Sequence, residues 1–96
     1  MATIQTTDVF ERWFEKLRDR EAKARINVRI RRLSMGNPGD HRNLTKGVSE
    51  LRVNHGPGYR IYYVTRAGIT YLLLCGGDKD SQEQDIALAL AMVDEL

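Results

Sequence analysis

Apolar and polar positions along the chain follow two periods in turn. Ile4-Gln5-Thr6-Thr7 is short and partly β-branched and reads as an edge strand. Val9, Phe10, Trp13, Phe14 and Leu17 then share one helical face, with Asp8 as N-cap and Glu11 three residues on completing a capping box. After a break at Arg18-Asp19-Arg20, with Asp19 as the next cap, Ala22, Ile26, Ile30 and Leu33 mark a second amphipathic helix. Met35-Gly36-Asn37-Pro38-Gly39 stops it, with glycine for a left-handed cap and proline shortly after.

Beyond Lys46 the period shortens to two. Leu51 and Val53 alternate with Glu50, Arg52 and Asn54. The stretches 59–65 and 69–75 are aromatic and β-branched, and Gly56-Pro57-Gly58 and Arg66-Ala67-Gly68 supply tight turns. Three strands so linked form an antiparallel meander. The last is apolar on both faces and needs cover from both sides. Ser81 with Gln84 caps a final helix, with Ile86, Ala89, Leu90 and Val93 on one face; it either supplies that second cover or extends to meet a partner. The order β-α-α-β-β-β-α predicts an α+β fold, an antiparallel sheet packed on the two N-terminal helices, in a single domain spanning 1–96.

Composition changes little in this picture. A 96-residue chain has room for one core, and 29% charged with 42% hydrophobic residues is ordinary for a soluble protein. The longest apolar run, Tyr71 to Cys75, is far short of a membrane helix, and Met1 to Gln5 carries no signal-peptide pattern. One cysteine excludes an internal disulfide and fits a reducing compartment, so the expected location is the cytoplasm, with no membrane partner.

Charge changes it more. Net charge is +2, but Lys16 to Arg32 holds eight basic residues against Asp19 and Glu21, while 78–96 holds six acids against Lys79. Such sorting gives a basic body suited to phosphates. Arg25, Arg29 and Arg32 form a stripe beside the apolar face of the second helix and, with Lys46 and His55, are the candidate RNA-binding residues. The alternative for that stripe is a solvated helix face with a few ion pairs.

The chemistry available is narrow. His41 and His55 stand alone and no cysteine or carboxylate pair has ligand spacing, so neither a metal nor any other cofactor is expected. Cys75 ends the most apolar strand and reads as core. No phosphate-binding glycine loop occurs. What remains is Arg52 and Arg60 on neighbouring strands, Lys79 in the loop after the third strand, and Tyr62, which alternation turns away from Tyr59 and Tyr63 and so toward solvent and substrate. Two guanidinium forks on one face suit a phosphate and the extra charge of a phosphorane. Equally, Arg52 pairs with Glu50 or Glu83 and Arg60 edges the sheet.

The segments Gly47 to Val53, Gly56-Pro57-Gly58-Tyr59-Arg60-Ile61-Tyr62-Tyr63 and Leu72-Leu73-Leu74-Cys75-Gly76-Gly77-Asp78-Lys79 together resemble the RelE/ParE superfamily of toxins from bacterial type II toxin–antitoxin modules. Within it they are most similar to the HigB-like, phage-Gp49-related addiction module killer proteins, over nearly the whole chain. The resemblance implies a RelE-like fold, a cognate helix-turn-helix antitoxin, contact with operator DNA only through that antitoxin, and a metal-independent mRNA endoribonuclease acting at the ribosome. It implies that Arg60 touches the scissile phosphate, with Arg52 beside it and Lys79 as the basic position after the last strand; Tyr62 is a further catalytic candidate from its place on the strand alone. This chain departs from RelE in three places. Val48 and Glu50 stand where RelE has a lysine pair, no tyrosine or basic residue follows Lys79, and Asp80 stands where relatives often have Ser or Thr. General acid and base are thus open among Glu50, His55 and Tyr62. A ParE-like inhibitor of DNA gyrase, and a noncatalytic partner acting through its antitoxin at an operator, are the alternatives.

Overall fold

The structure is a computed structural model that describes residues 2–96; Met1, the first residue of the opening read for a signal pattern, lies outside the described residues. The elements are β1 (Thr3–Thr6), α1 (Asp8–Lys16), α2 (Arg20–Ser34), β2 (His41–Asn43), β3 (Val48–Val53), β4 (Tyr59–Arg66), β5 (Thr70–Gly77) and α3 (Gln82–Asp94). They build one five-stranded sheet in the order β1-β5-β4-β3-β2. The meander β3-β4-β5 is antiparallel, as the turns require. The edge strand β1 runs parallel to β5, so the sheet is mixed rather than wholly antiparallel. The extra strand β2 pairs with β3 at the other edge. Its three residues, His41, Arg42 and Asn43, are all exposed, so they carry no hydrophobic alternation for a sequence reading to detect.

Two cores flank the sheet. On one face Phe10, Ala22, Ile26 and Leu33 of α1 and α2 pack on Leu51, Val53, Tyr59, Ile61, Tyr63 and Leu73. On the other face Ala89 of α3, with Ile86, Leu90 and Val93, covers Val48, Tyr62, Val64, Leu72, Leu74 and Cys75. Helix α3 is therefore the second cover, and the face opposite the N-terminal helices is a core rather than an open basic surface.

Strand β5 serves both cores through a register shift opposite Tyr62 and Tyr63: Cys75 pairs with Tyr62 and Leu73 with Tyr63. Leu74 is the extra residue, a β-bulge that puts Leu74 and Cys75 on the same side. Downstream, Gly76 faces Trp13 and Gly77 faces Asp85, and a Cβ at either would collide with those side chains. Both helix starts are capped by side chains. Thr7, not Asp8, caps α1: its hydroxyl accepts from the Phe10 N–H at 3.1 Å, while Glu11 bonds Thr6. Asp19 caps α2 as its position predicts. Ser81 stands at the start of α3 but makes no side-chain cap there; its hydroxyl donates to Asp85, and Asp78 gathers the Asp80 and Ser81 N–H groups instead.

Candidate functional site

Strand pairing assembles the site. In the β3–β4 register Arg52 lies opposite Arg60 and Glu50 opposite Tyr62; in the β2–β3 register Arg42 lies opposite Glu50. Directly opposed residues share a sheet face, so Arg42, Glu50, Arg52, Arg60 and Tyr62 all stand on the α3 side. Glu50 is at the centre, with no exposed surface. Its Oε1 lies 3.2 Å from Arg52 Nε, 3.6 Å from Arg60 Nη1 and 3.7 Å from Arg42 Nε. Its Oε2 accepts from the Tyr62 hydroxyl at 3.1 Å and from Gln82 Nε2, on the first turn of α3, at 2.8 Å. Burial alone pushes this carboxyl up, but the donors Gln82, Arg52 and Tyr62 and the charge of Arg42 outweigh it and hold Glu50 below the usual glutamate range.

Tyr62, expected to face solvent and substrate, is fully buried. The alternation was read in the right phase, since Tyr59 and Tyr63 do lie in the opposite core, but α3 covers both Tyr62 and its neighbours. Burial, then the charge of Glu50, pushes its hydroxyl well above the ordinary tyrosine value. It is placed to donate to Glu50, not to meet a ligand. Arg60 is largely buried, and its Nε has no hydrogen-bond partner among the described residues. Arg52 is more open, and its Nη1 lies 3.8 Å from Asp40. Lys79 is exposed at the same end of the sheet, where its N–H approaches the Pro57 carbonyl at 3.4 Å and ties the β5–α3 loop to the β3–β4 turn. Arg52, Arg60 and Lys79 thus converge on one end.

The candidate RNA-binding residues do not form one surface. Arg25, Arg29 and Arg32 line an open groove of about 510 Å³ with Ala24, Val28 and Val53, on the α2 side of the sheet. Within that stripe Arg29 is a clamp: its guanidinium donates to the carbonyls of Arg52, Pro38 (2.8 Å) and Asp40 (3.0 Å), fastening α2 to β3 and to the loop before β2. Desolvation lowers its pKa, though Asp40 partly offsets this. Arg25 bonds Glu21 at 3.0 Å one turn back on the exposed helix. Lys46 lies at the far end of the sheet, paired with Asp94 at 2.8 Å. His55 Nε2 lies 2.9 Å from Asp19 Oδ2, joining the β3–β4 turn to the cap of α2.

Two residues of the site escaped the sequence reading. Arg42 sits in the strand without alternation, and Gln82 reaches Glu50 across the fold. Strand register signals the first and the packing of α3 on the sheet the second. Cys75 is buried with its thiol pushed up to about 12 by burial and by Asp85, which keeps it protonated and inert. Among the described residues no three His, Cys, Asp or Glu side chains cluster as metal ligands. No described helix is long and apolar enough to cross a membrane.

Known proteins bring this arrangement into focus. A chain from the crystal structure of the intact E. coli RelBE toxin–antitoxin complex superposes with a TM-score of 0.68 over 81% of this chain and 96% of that one, at 12% identity. The fold is thus of the RelE type. An uncharacterised protein of Haemophilus influenzae is 46% identical over 93 residues, 97% of this chain and 94% of its own. Residues 12–93 match the model of the phage-derived Gp49-like proteins, a span that includes Arg42, Glu50, Arg52, Arg60 and Lys79. The chain belongs to the phage-derived Gp49-like protein family.

Proposed function

We propose that the chain is the toxin of a type II toxin–antitoxin module and a metal-independent, ribosome-associated mRNA endoribonuclease of the cytoplasm, neutralised by a helix-turn-helix antitoxin. The observation that carries this reading is the pairing of Arg52 with Arg60 in register on adjacent strands, at the end of the sheet where Lys79 also stands. The likeness to a toxin–antitoxin complex supports the antitoxin. In the reaction the 2′-oxygen forms a bond to the adjacent phosphorus and the P–O5′ bond breaks. The 2′-hydroxyl gives up its proton and the departing 5′-oxygen gains one. Arg60 and Arg52 contact the phosphate oxygens and stabilise the charge that builds on the phosphorane, and Lys79 adds a mobile cation at the rim. Glu50 is a poor general base, being closed to solvent and held ionised by donors.

That last point favours one second reading. With Glu50 and Tyr62 both buried, a noncatalytic toxin acting on DNA gyrase needs no base beside the arginines. Mapping mRNA 5′ ends after induction separates the two. The nuclease gives new cuts in translating cells that vanish when translation is blocked, and Arg60→Ala abolishes both cuts and growth arrest while the folded protein still binds its antitoxin. Arrest with intact transcripts and stalled gyrase cleavage complexes overturns the nuclease in favour of gyrase.

A further inference from the structure

Glu50 presents a problem that its neighbours solve. A carboxylate removed from water costs several kcal/mol unless it is paired and hydrogen-bonded, and a hydrophobic residue in its place often costs nothing. Here a single Oε1 draws in nitrogens from Arg42, Arg52 and Arg60, on three consecutive strands, while Oε2 is fixed by Tyr62 and Gln82. Like charges set directly opposite each other across two strands repel, as Arg52 and Arg60 must. The buried anion holds them together all the same. Three guanidinium groups against one carboxylate leave the cluster positive, with half-exposed Asp40 approaching only Arg52. One donor, Arg60 Nε, is buried and has no partner among the described residues.

We infer that Glu50 is a positioning residue that gathers Arg42, Arg52 and Arg60 into one cradle for a phosphodiester oxyanion, with Arg42 of the edge strand as its third cation. This rests on the reading above that Arg52 and Arg60 face the phosphate. Arg42, with half its side chain exposed, forms the outer lip toward the β2 edge, and Arg60, the deepest, forms the floor. Glu50 moves no proton. It sets the direction in which three planar forks point, which decides whether they meet one phosphate bidentately or scatter.

Charge and geometry make opposite predictions when Glu50 is neutralised. Glu50→Gln adds one unit of positive charge, so a purely electrostatic site binds polyanions more tightly. A positioned cradle binds them less well. Nitrogen-15 spectra of the arginine Nε–H groups, titrated with a short oligothymidylate that has no 2′-hydroxyl and cannot be cleaved this way, read both effects. In the unaltered protein the signals of Arg42, Arg52 and Arg60 are expected to be dispersed and to shift together. In Glu50→Gln they collapse toward the free-arginine position and affinity falls about tenfold despite the added charge.

Because loss of Glu50 can unfold the chain, two milder variants accompany it. Gln82→Ala keeps the carboxylate but removes one anchor and lowers affinity about threefold; Arg42→Gln lowers it about fivefold and leaves the Arg60 signal in place. Undiminished affinity in Gln82→Ala and Arg42→Gln, or tighter binding by a folded Glu50→Gln, overturns the cradle. Transcript cleavage is scored separately. A protein whose three arginine signals respond to the oligonucleotide but which leaves mRNA intact keeps the cradle and loses the nuclease. One that cuts mRNA with indifferent signals does the reverse.

Discussion

At the residue scale, Glu50 carries a pH signature on the acid side. Its folded carboxyl titrates below the unfolded one, because donors outweigh burial. The native state therefore binds fewer protons than the unfolded chain as pH falls through the carboxylate range. This stabilisation is complete above the ordinary glutamate value and is lost as pH drops through the lower folded value. Asp85 works the other way. Burial and the nearby Asp78 raise its carboxyl, against the hydrogen bond from Ser81, so its contribution favours the folded state on the acid side. Denaturant midpoints measured from neutral pH downward should fall, and the fall should be shallower in Glu50→Gln, which removes an acid-labile interaction. The same slope in both proteins would show that the Glu50 cluster is not what acid dissolves. Of this cluster the linear sequence offered only the pairing of Arg52 with Glu50. Glu50 reads there as one polar position in an alternating strand, and its burial comes from α3, thirty-two residues away in the chain at Gln82.

Elements differ in how clearly the chain announces them. Helices α1 and α2 were legible because each buries a single stripe, and the three meander strands because their aromatic and β-branched runs are set off by tight turns. Strand β2 was not, since all of its residues are exposed and only backbone pairing defines it. The placement of α3 was open for a different reason: its face of Ile86, Ala89, Leu90 and Val93 was legible and is the one that packs, but a stripe does not say whether it covers the sheet or meets a partner. The fold resolves this because the upper face of β5 must be covered. Helix packing also sets the cost of substitutions at the close approach of α1. Gly76→Ala forces a methyl into the Trp13 ring and should destabilise by about 1–3 kcal/mol, read as a shift in denaturant midpoint without a change in slope. Asp19→Ala removes both the cap of α2 and the partner of His55 and should lower the denaturant midpoint in the same measurement.

For the whole molecule the sorting of charge persists in three dimensions, though not as one basic face. The arginines divide between the α2 groove and the β2–β3–β4 end, with the sheet between them. Helix α3 lies over the second core, and its Asp94 ties the last turn to Lys46 beside β3. That exposed ion pair contributes little by itself. The helix matters as a cover: a chain ending before Gln82 should lose solubility, because Val48, Tyr62, Leu72 and Leu74 would then face water. Such a truncated chain remaining monomeric and folded, by light scattering and near-ultraviolet circular dichroism, would contradict this account of the second core.

The bulge at Leu74 acts as a change of phase. Up to that residue the side chains of β5 alternate between the two cores; after it every position is inverted. The inversion brings two bare positions, Gly76 and Gly77, under the two helices that approach the sheet most closely, one from each side. Had the strand kept strict alternation through Leu74, the thiol of Cys75 would point to the Trp13 side of the sheet and Gly76 to the α3 side. The thiol stays with α3 and Gly76 stays under Trp13 because of one odd residue in a strand that otherwise counts in twos.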